Sequence, residues 1–463
     1  MFLSPNPSIQ VYKIMVLIAA FFMLLPLPIM QYVGEEGLMA IKSYEMFLSG
    51  DWFHTVALGM SFPHPPLWHW PVILISQVIG WEHVDIAIRL VSVISTWLTA
   101  GAVAYMAIWL FPKEDSSIGW LAALIYLSLG EVCFWYGWLG YIDACFALFI
   151  FSSIATLWRA FEDKSARWLC LALILISIAF LIKNITAYAL FFAAGLVLIT
   201  RLKRWSLLKN PFFIILTCLA MSVPSLWQSF ISSGADINTA GSSVDDIIRK
   251  FIGFDLFRVL NHWLTYPFIF IFRSLPLALF FIWLWLRHKQ RFQWDEPLTT
   301  LALILLVCFL PFWISPGGGA RYLIPLYGFV ALLLTGLLLQ LNQLQLKQSI
   351  RLIALLLMLK LPYSLLILPY VKDHMPERDI KAVARELIAI SHDAPLRTQS
   401  DVANGLSIAA YIDVWQQDNA PIHWYNGKEK GVYILAEEET DDFGELVKTW
   451  RLRGSLVYLY KQD

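Results

Sequence analysis

The feature that most constrains this chain is a series of apolar segments, each close to the length that crosses a lipid bilayer. About 20 apolar residues in a helix span the hydrocarbon core of a membrane. We predict eleven membrane helices, near residues 11–30, 85–110, 118–135, 141–158, 168–182, 184–200, 211–231, 264–286, 298–314, 322–341 and 351–370. Hydrophobic residues make up 59% of the chain, against about 45–50% in soluble domains. The sequence therefore predicts a polytopic α-helical membrane protein.

Lysine and arginine residues indicate how these helices are oriented. They concentrate in the loops after the second, fourth, sixth, eighth and tenth segments, and cytoplasmic loops carry such an excess. The residues are Lys113, Arg159, Lys164, Arg167, Arg201, Lys203, Arg204, Lys209, Arg287, Lys289, Arg291, Lys347 and Arg351. The short apolar stretch 67–80 is expected to lie at the membrane interface, because another crossing would invert this charge pattern.

This orientation places a large first loop, residues 31–84, on the extracytoplasmic face together with the C-terminus. Loops 136–140, 232–263 and 315–321 share that face. The chain is predicted to divide into a membrane domain, residues 1–371, and a small extracytoplasmic α/β domain, residues 372–463. In the second domain we expect helices over Glu377–Ile390 and Asp441–Trp450, and strands over Gly431–Leu435 and Ser455–Tyr460.

Two adjacent carboxylates, Glu35 and Glu36, stand at the start of the large outer loop. Acids beside a membrane are commonly solvated charges. They also suit a general base, because a neighbouring carboxylate tunes the pKa of the base. The pattern alone favours neither interpretation.

His64 and Asp143 are two further candidates on the outer face. His64 stands between Pro63 and Pro65, and prolines stiffen the backbone on both sides of it. A stiff loop presents a side chain at low entropic cost, although a hydrogen-bonded structural histidine is the commoner case. Asp143 heads the fourth segment, where it either caps the helix or contacts a substrate.

Lys183 interrupts an apolar run that extends over residues 168–200. One helix of that length would measure about 50 Å, against a hydrocarbon core of about 30 Å. We therefore predict two short crossings joined by a tight hairpin at Lys183 and Asn184. A lysine at that depth needs an anion, and a lipid phosphate fits; a side chain that reaches back to water is the alternative.

Arg321, Arg258 and His262 lie near the outer ends of later segments. Arginine suits phosphate, but each of the three is also an ordinary interface anchor. Net charge is zero, which excludes a nucleic-acid footprint. No phosphate-binding P-loop, zinc-protease motif or GxSxG elbow occurs in the sequence. A transferase with its acids outside has no access to cytoplasmic nucleotide sugars and would need a lipid-linked donor.

These motifs occur in the same order as in the GT-C glycosyltransferases of the protein O-mannosyltransferase and aminoarabinose-transferase superfamily, which the chain therefore resembles. That family has an Asp-Glu pair after its first helix, a Ser-Gly-Asp-Trp sequence and a Lys- or His-Pro-Pro-Leu turn. The matching segments are Glu35-Glu36, Ser49-Gly50-Asp51-Trp52 and His64-Pro65-Pro66-Leu67. Asp143, Lys183, His262–Pro267 and Arg321-Tyr322-Leu323-Ile324-Pro325 match later family motifs.

The resemblance implies a GT-C fold in a bacterial inner membrane, a polyprenyl-phosphate sugar donor, and inversion at the anomeric carbon. The acceptor would be a lipid, a glycan such as lipid A, or a protein. Glu35 would be the base, with Glu36 as the second choice. Lys183 and Arg321 would hold the donor phosphate, and His64 and Asp143 would shape the sugar pocket. Arg258, His262 and Tyr322 complete the expected substrate contacts.

The chain departs from the family at three positions. Glu35 replaces the usual Asp, His64 replaces a Lys, and Pro63 replaces an acid that contributes to a metal site in aminoarabinose transferases. A divalent metal therefore stays a possible cofactor that the motif leaves in doubt, and aminoarabinose specificity is not carried over. Two rival functions are a transporter or flippase for a lipid-linked saccharide, and an envelope scaffold in which Glu35 would be dispensable.

Overall fold

The computed structural model describes residues 9–62, 64–232, 256–288, 291–392 and 394–462. Part of the predicted loop 232–263, Pro63 and Lys289 lie outside these residues. The described α-helices are α1 (Ile9–Phe22), α2 (Glu36–Ser49), α3 (His69–Ile79), α4 (Val84–Leu110), α5 (Ser117–Ser128), α6 (Ile142–Glu162), α7 (Ala166–Ile182), α8 (Thr186–Arg201), α9 (Pro211–Ser232), α10 (Leu256–Arg273), α11 (Leu277–His288), α12 (Glu296–Ile314), α13 (Tyr327–Leu338), α14 (Gln343–Pro362), α15 (Leu368–His374), α16 (Ile380–Ser391) and α17 (Ala403–Trp415).

Short irregular helices extend several of these elements. They are 3₁₀ turns at Trp81–His83, Trp205–Lys209, Ala320–Leu326 and Pro376–Arg378, and π turns at Val132–Tyr136 and Tyr363–Ile367. The strands are β1 (Thr55–Ala57), β2 (Met60–Phe62), β3 (Leu396–Thr398), β4 (His423–Trp424), β5 (Val432–Ala436), β6 (Glu445–Leu452) and β7 (Ser455–Gln462).

The membrane region contains six helices that are long and apolar enough to cross a bilayer, within the described part of the chain. They are Trp81–Leu110, Ile142–Glu162, Pro211–Phe230, Glu296–Ile314, Ala320–Leu338 and Gln343–Val371. The bent pair of α10 and α11 brings this number to seven if it is one crossing. The shorter helices α1, α5, α7 and α8 lie at the four remaining predicted segments. The prediction of a polytopic α-helical membrane protein is confirmed.

The predicted hairpin at Lys183 and Asn184 is present. Helix α7 ends at Ile182 and α8 begins at Thr186. With 17 residues, α7 is about 26 Å long, which is shorter than the hydrocarbon core of about 30 Å. The side chain of Asn184 accepts a hydrogen bond at 3.0 Å from the N–H of Thr186, the first residue of α8.

The predicted span over 264–286 is broken in the structure, where α10 and α11 meet at an angle of 107°. Helix α10 ends at Arg273, and the break contains Pro276. Proline has no N–H and its ring clashes with the preceding helical turn, so Pro276 favours a break at this position.

The C-terminal region contains a five-stranded sheet in the order β4-β3-β5-β7-β6. Strand β3 is parallel to β4 and β5, whereas β5, β7 and β6 are antiparallel. The helix predicted over 441–450 is wrong, since residues 445–450 belong to strand β6. Arg453 and Gly454 have φ of 50° and 89°, and two successive positive φ values form the tight turn that joins hairpin strands.

This sheet region packs directly on the first outer loop. Tyr411 of α17 stacks on Tyr32 with ring centroids 4.3 Å apart, and the Arg453 guanidinium donates to the Tyr32 carbonyl at 2.6 Å. A Cβ atom on Gly37 would lie 2.7 Å from Cα of Ser407. Helices α2 and α17 therefore touch backbone to backbone, and the C-terminal region fixes the position of α2.

Candidate functional site

A cavity opens where α2, the start of α6, the α7–α8 hairpin and residues 315–322 meet. Its volume is about 290 Å³, near the lower end of the range for small-molecule sites. Six of the predicted site residues line it: Glu35, His64, Asp143, Lys183, Arg321 and Tyr322. These residues come from well-separated parts of the sequence, and the fold brings them to one cavity.

Glu35 is the accessible carboxylate of this cavity. Its side chain is 48% exposed, and Arg321 Nη2 contacts Oε2 at 2.9 Å. The Arg321 guanidinium also lies 5.2 Å from the ring of Tyr141 and 5.4 Å from that of Tyr322. One cation therefore orients the carboxylate and is itself held between two aromatic rings.

The backbone before Glu35 is fixed by Tyr141. The Tyr141 hydroxyl accepts from the Glu35 N–H at 2.9 Å and donates to the Val33 carbonyl at 2.9 Å. Gly34 has a φ of 58°, and a Cβ there would lie 2.3 Å from the Tyr141 hydroxyl oxygen. Only glycine fits this close approach, so the turn presents Glu35 in a defined place.

Asp143 and Lys183 form a second ion pair in the cavity, at 2.5 Å. Their side chains are 3% and 11% exposed. The Lys183 ammonium also lies 4.5 Å above the ring of Tyr322. The side chain of Asp143 pairs with Lys183 and does not cap α6. The sequence identified both residues but not their contact.

Glu36 does not line the cavity, although it is the neighbour of Glu35. Its side chain is 0% exposed and forms a two-point ion pair with Arg89, at 3.0 Å and 2.6 Å. The N–H groups of Gly140 and Val33 donate to it at 2.5 Å and 2.8 Å. The prediction of Glu36 as an alternative base therefore has no geometric support, because the protein itself occupies both carboxylate oxygens.

Arg89 was not identified from the sequence. Besides Glu36 it donates to the carbonyls of Leu27, Met30 and Gln31, which belong to the segment between α1 and α2. A lone arginine in an apolar segment was the available signal, since buried arginines are almost always paired. This network anchors the start of the outer loop to α4.

His64 is held through its backbone. The Thr55 hydroxyl donates to the carbonyls of Phe62 and His64, at 2.9 Å and 3.0 Å. The Leu67 N–H donates to the Leu181 carbonyl at 3.2 Å. The turn that carries His64 is thus attached to the end of α7, next to the hairpin that carries Lys183.

Lys42 also lines the cavity and was missed. It is 4% exposed, and its ammonium lies 4.3 Å above the ring of Phe62. Burial lowers its pKa to about 8, with Glu35 opposing the shift. The signal was its position seven residues after Glu35, since residues at that spacing share one face of a helix.

Arg258 and His262 are not among the side chains that line the cavity. His262 Nε2 lies 3.1 Å from the carbonyl of Phe312, and its ring is 4.4 Å from that of Tyr266. Arg258 is exposed on α10. His262 therefore supports the backbone of a cavity residue, and the expected direct substrate contacts of both residues stay predictions.

The arrangement does not fit the divalent metal considered from the resemblance. In the described part of the chain, no three His, Cys, Asp or Glu side chains converge. Each cavity carboxylate is paired with a cation, Glu35 with Arg321 and Asp143 with Lys183.

Comparison with known proteins defines the class of the fold. The structure matches that of ArnT from Cupriavidus metallidurans bound to undecaprenyl phosphate, with a TM-score of 0.71 over 98% of each chain at 15% sequence identity. The apo structure of that protein matches with a TM-score of 0.67 over 97% of each chain, at 16% identity. The protein thus has the GT-C membrane fold.

Sequence comparisons agree with this class. Residues 63–227 match the family described as dolichyl-phosphate-mannose-protein mannosyltransferase. The undecaprenyl phosphate-alpha-4-amino-4-deoxy-L-arabinose arabinosyl transferases of Pseudomonas aeruginosa strains UCBPP-PA14 and LESB58 are each 26% identical, over 72% and 67% of this chain. The chain spans 60% and 56% of their lengths. The predicted resemblance to the GT-C superfamily of protein O-mannosyltransferases and aminoarabinose transferases is confirmed.

Proposed function

We propose that the protein is an integral-membrane glycosyltransferase that moves a sugar from a polyprenyl-phosphate donor to an extracytoplasmic acceptor. The observation that carries this proposal is one cavity with a half-exposed carboxylate, Glu35, beside two cations, Lys183 and Arg321. The similar arabinosyl transferases are named for an undecaprenyl-phosphate sugar, and the matching fold was solved with undecaprenyl phosphate. Both names point to the same donor class.

Glu35 is the general base in this proposal. Arg321 contacts one carboxylate oxygen, and the exposed fraction of the side chain leaves room for an acceptor hydroxyl. Glu35 takes the hydroxyl proton while the acceptor oxygen bonds to the anomeric carbon. The bond from that carbon to the phosphate oxygen breaks, and polyprenyl phosphate leaves with the electron pair. Attack opposite the leaving group inverts the anomeric carbon.

Lys183 and Arg321 stabilise the negative charge that grows on the leaving phosphate. Positive groups fixed in advance lower the barrier most when they are aimed at the developing charge, and an arginine can contact two phosphate oxygens at once. The start of α8 lies next to Lys183, and helix N-termini favour anions. Asp143 and Tyr322 hold Lys183 in place, and His64 borders the sugar.

The proposed topology has eleven crossings, with the cavity and the C-terminus on the periplasmic side of a bacterial inner membrane. The six long helices, the bent pair and the four shorter apolar helices support this number. The positive charges at the opposite ends of these helices support the orientation. The acceptor is a lipid, a glycan such as lipid A, or a protein.

A transfer assay tests the proposal. Purified protein in lipid nanodiscs receives undecaprenyl-phosphate sugar extracted from cells that lack the protein, together with an envelope extract as acceptor. We expect mass spectrometry to detect free undecaprenyl phosphate and one modified acceptor. Glu35→Gln should abolish release, whereas Glu82→Gln, a matched change at an exposed carboxylate of the same outer loop, should not.

Two results would overturn the proposal. If the protein moved the intact lipid-linked sugar across the bilayer and released no undecaprenyl phosphate, it would be a flippase. If Glu35→Gln were fully active in cells while removal of residues 372–463 abolished function, the scaffold function would replace it.

A further inference from the structure

Lys42 is a buried cation that faces the candidate cavity from α2. Within the described residues no carboxylate lies in ion-pair contact with it. Its ammonium lies 4.3 Å above the Phe62 ring, an attraction that offsets a minor part of the cost of removing an ammonium from water. An uncompensated buried charge of this kind is expensive to keep.

The charges that line the cavity do not balance without a ligand. Glu35 and Asp143 are the carboxylates, and each is paired with its own cation, Arg321 and Lys183. Lys42 is the third cation. Apart from His64, the described lining therefore carries one excess positive charge, which matches the single negative charge of a phosphodiester or a carboxylate.

The position of Lys42 differs from that of the cations that sequence motifs identify. Lys183 lies in the α7–α8 hairpin and Arg321 at the start of the tenth predicted segment, whereas Lys42 belongs to helix α2 of the outer loop. It borders Phe62 and His64, at the turn where the chain has His64 in place of a family lysine. An amino group thus reaches this side of the cavity from α2.

We propose that Lys42 binds an oxyanion of the donor inside the cavity. This inference rests on the proposed function and deepens it, because it requires an anionic group at the α2 side of the bound donor. That group is either the phosphate that links the lipid to the sugar or an acidic group on the sugar itself. Burial lowers the pKa of Lys42, which agrees with a cation that has no counter-ion in contact among the described residues.

Binding of defined lipids to purified protein tests the inference. Lys42→Met removes the charge at similar length, Lys42→Arg retains it, and Lys428→Met is the control at an exposed lysine. Native mass spectrometry measures affinity for undecaprenyl phosphate, undecaprenol, undecaprenyl-phosphate glucose and undecaprenyl-phosphate glucuronic acid. Retained binding of undecaprenol by every variant shows that each one is folded.

If the phosphate is the partner, Lys42→Met should bind undecaprenyl phosphate about tenfold more weakly, and Lys42→Arg and Lys428→Met should bind as wild type does. If a sugar carboxylate is the partner, Lys42→Met should lose affinity only for the glucuronic acid donor. Equal affinities of all variants for all four lipids would overturn the inference.

The two proposals fail separately. Transfer by wild type together with equal lipid binding by Lys42→Met would refute the role of Lys42 and leave the transferase intact. Lys42-dependent binding without any transfer, or with full transfer by Glu35→Gln, would refute the proposed chemistry and leave the anion site.

Discussion

Replacement of Glu36 by glutamine should unfold or loosen the protein, whereas the same change at Glu35 should remove activity alone. The two residues are adjacent but occupy opposite environments. Glu36 is 0% exposed and bound to Arg89 through both oxygens, while Glu35 is 48% exposed and contacts Arg321 through one.

The magnitude follows from this contrast. Removal of one partner from a buried ion pair costs about 3–5 kcal/mol, a large part of a total stability of about 5–15 kcal/mol. We expect the low end, about 3 kcal/mol, for Glu36→Gln. Glutamine keeps one acceptor, and Arg89 keeps its bonds to the carbonyls of Leu27, Met30 and Gln31. Glu35→Gln should cost about 0–1 kcal/mol, as is typical of exposed pairs.

Thermal unfolding in detergent and the transfer assay, run side by side, separate the two effects. Glu36→Gln should lower the unfolding temperature, and the double variant Glu36→Gln with Arg89→Met should recover part of the loss because no unpaired charge stays buried. A Glu36→Gln protein that unfolds at the wild-type temperature and transfers no sugar would contradict this reasoning. In that case the base would be Glu36 and the buried pair would not be structural.

Three further outcomes are expected. Relative to Lys42→Met, the free energy of unfolding of the wild type should rise by about 3 kcal/mol between pH 8 and pH 10.5. The pKa of Lys42 is about 8 in the folded protein and 10.5 in the unfolded chain, so the cost of the buried charge disappears in that window. Parallel curves of unfolding temperature against pH would contradict this. Asp143→Asn should weaken undecaprenyl phosphate binding in the native mass spectrum, since Lys183 loses the partner that positions it; unchanged affinity would show that the pair is structural only. Gly37→Ala should reduce transfer and expose the C-terminal region to protease, because its Cβ would lie 2.7 Å from Cα of Ser407; an uncleaved, active variant would show that α2 can shift without consequence.

The sequence alone determined the membrane class and much of the cavity. Long apolar segments are helical in a bilayer, because no water is present there to hydrogen-bond with their backbone. The length and hydropathy of each segment therefore predict where the membrane helices lie. The run 168–200 is too long for one crossing, and its length alone is enough to predict the hairpin at Lys183. Motif order led to Glu35, Asp143 and Arg321, and all three line the cavity.

Only the tertiary structure shows which of the candidate residues face the cavity and which are buried. Adjacent residues look alike in sequence, and only the position of Arg89 on α4 shows that Glu36 is a buried partner while Glu35 faces the cavity. Lys42 carries no motif, and its importance comes from the absence of a carboxylate in ion-pair contact among the described residues. Hydropathy gives the burial of a segment but not its contacts, which depend on side chains that lie tens to hundreds of residues apart and meet only when the chain is folded.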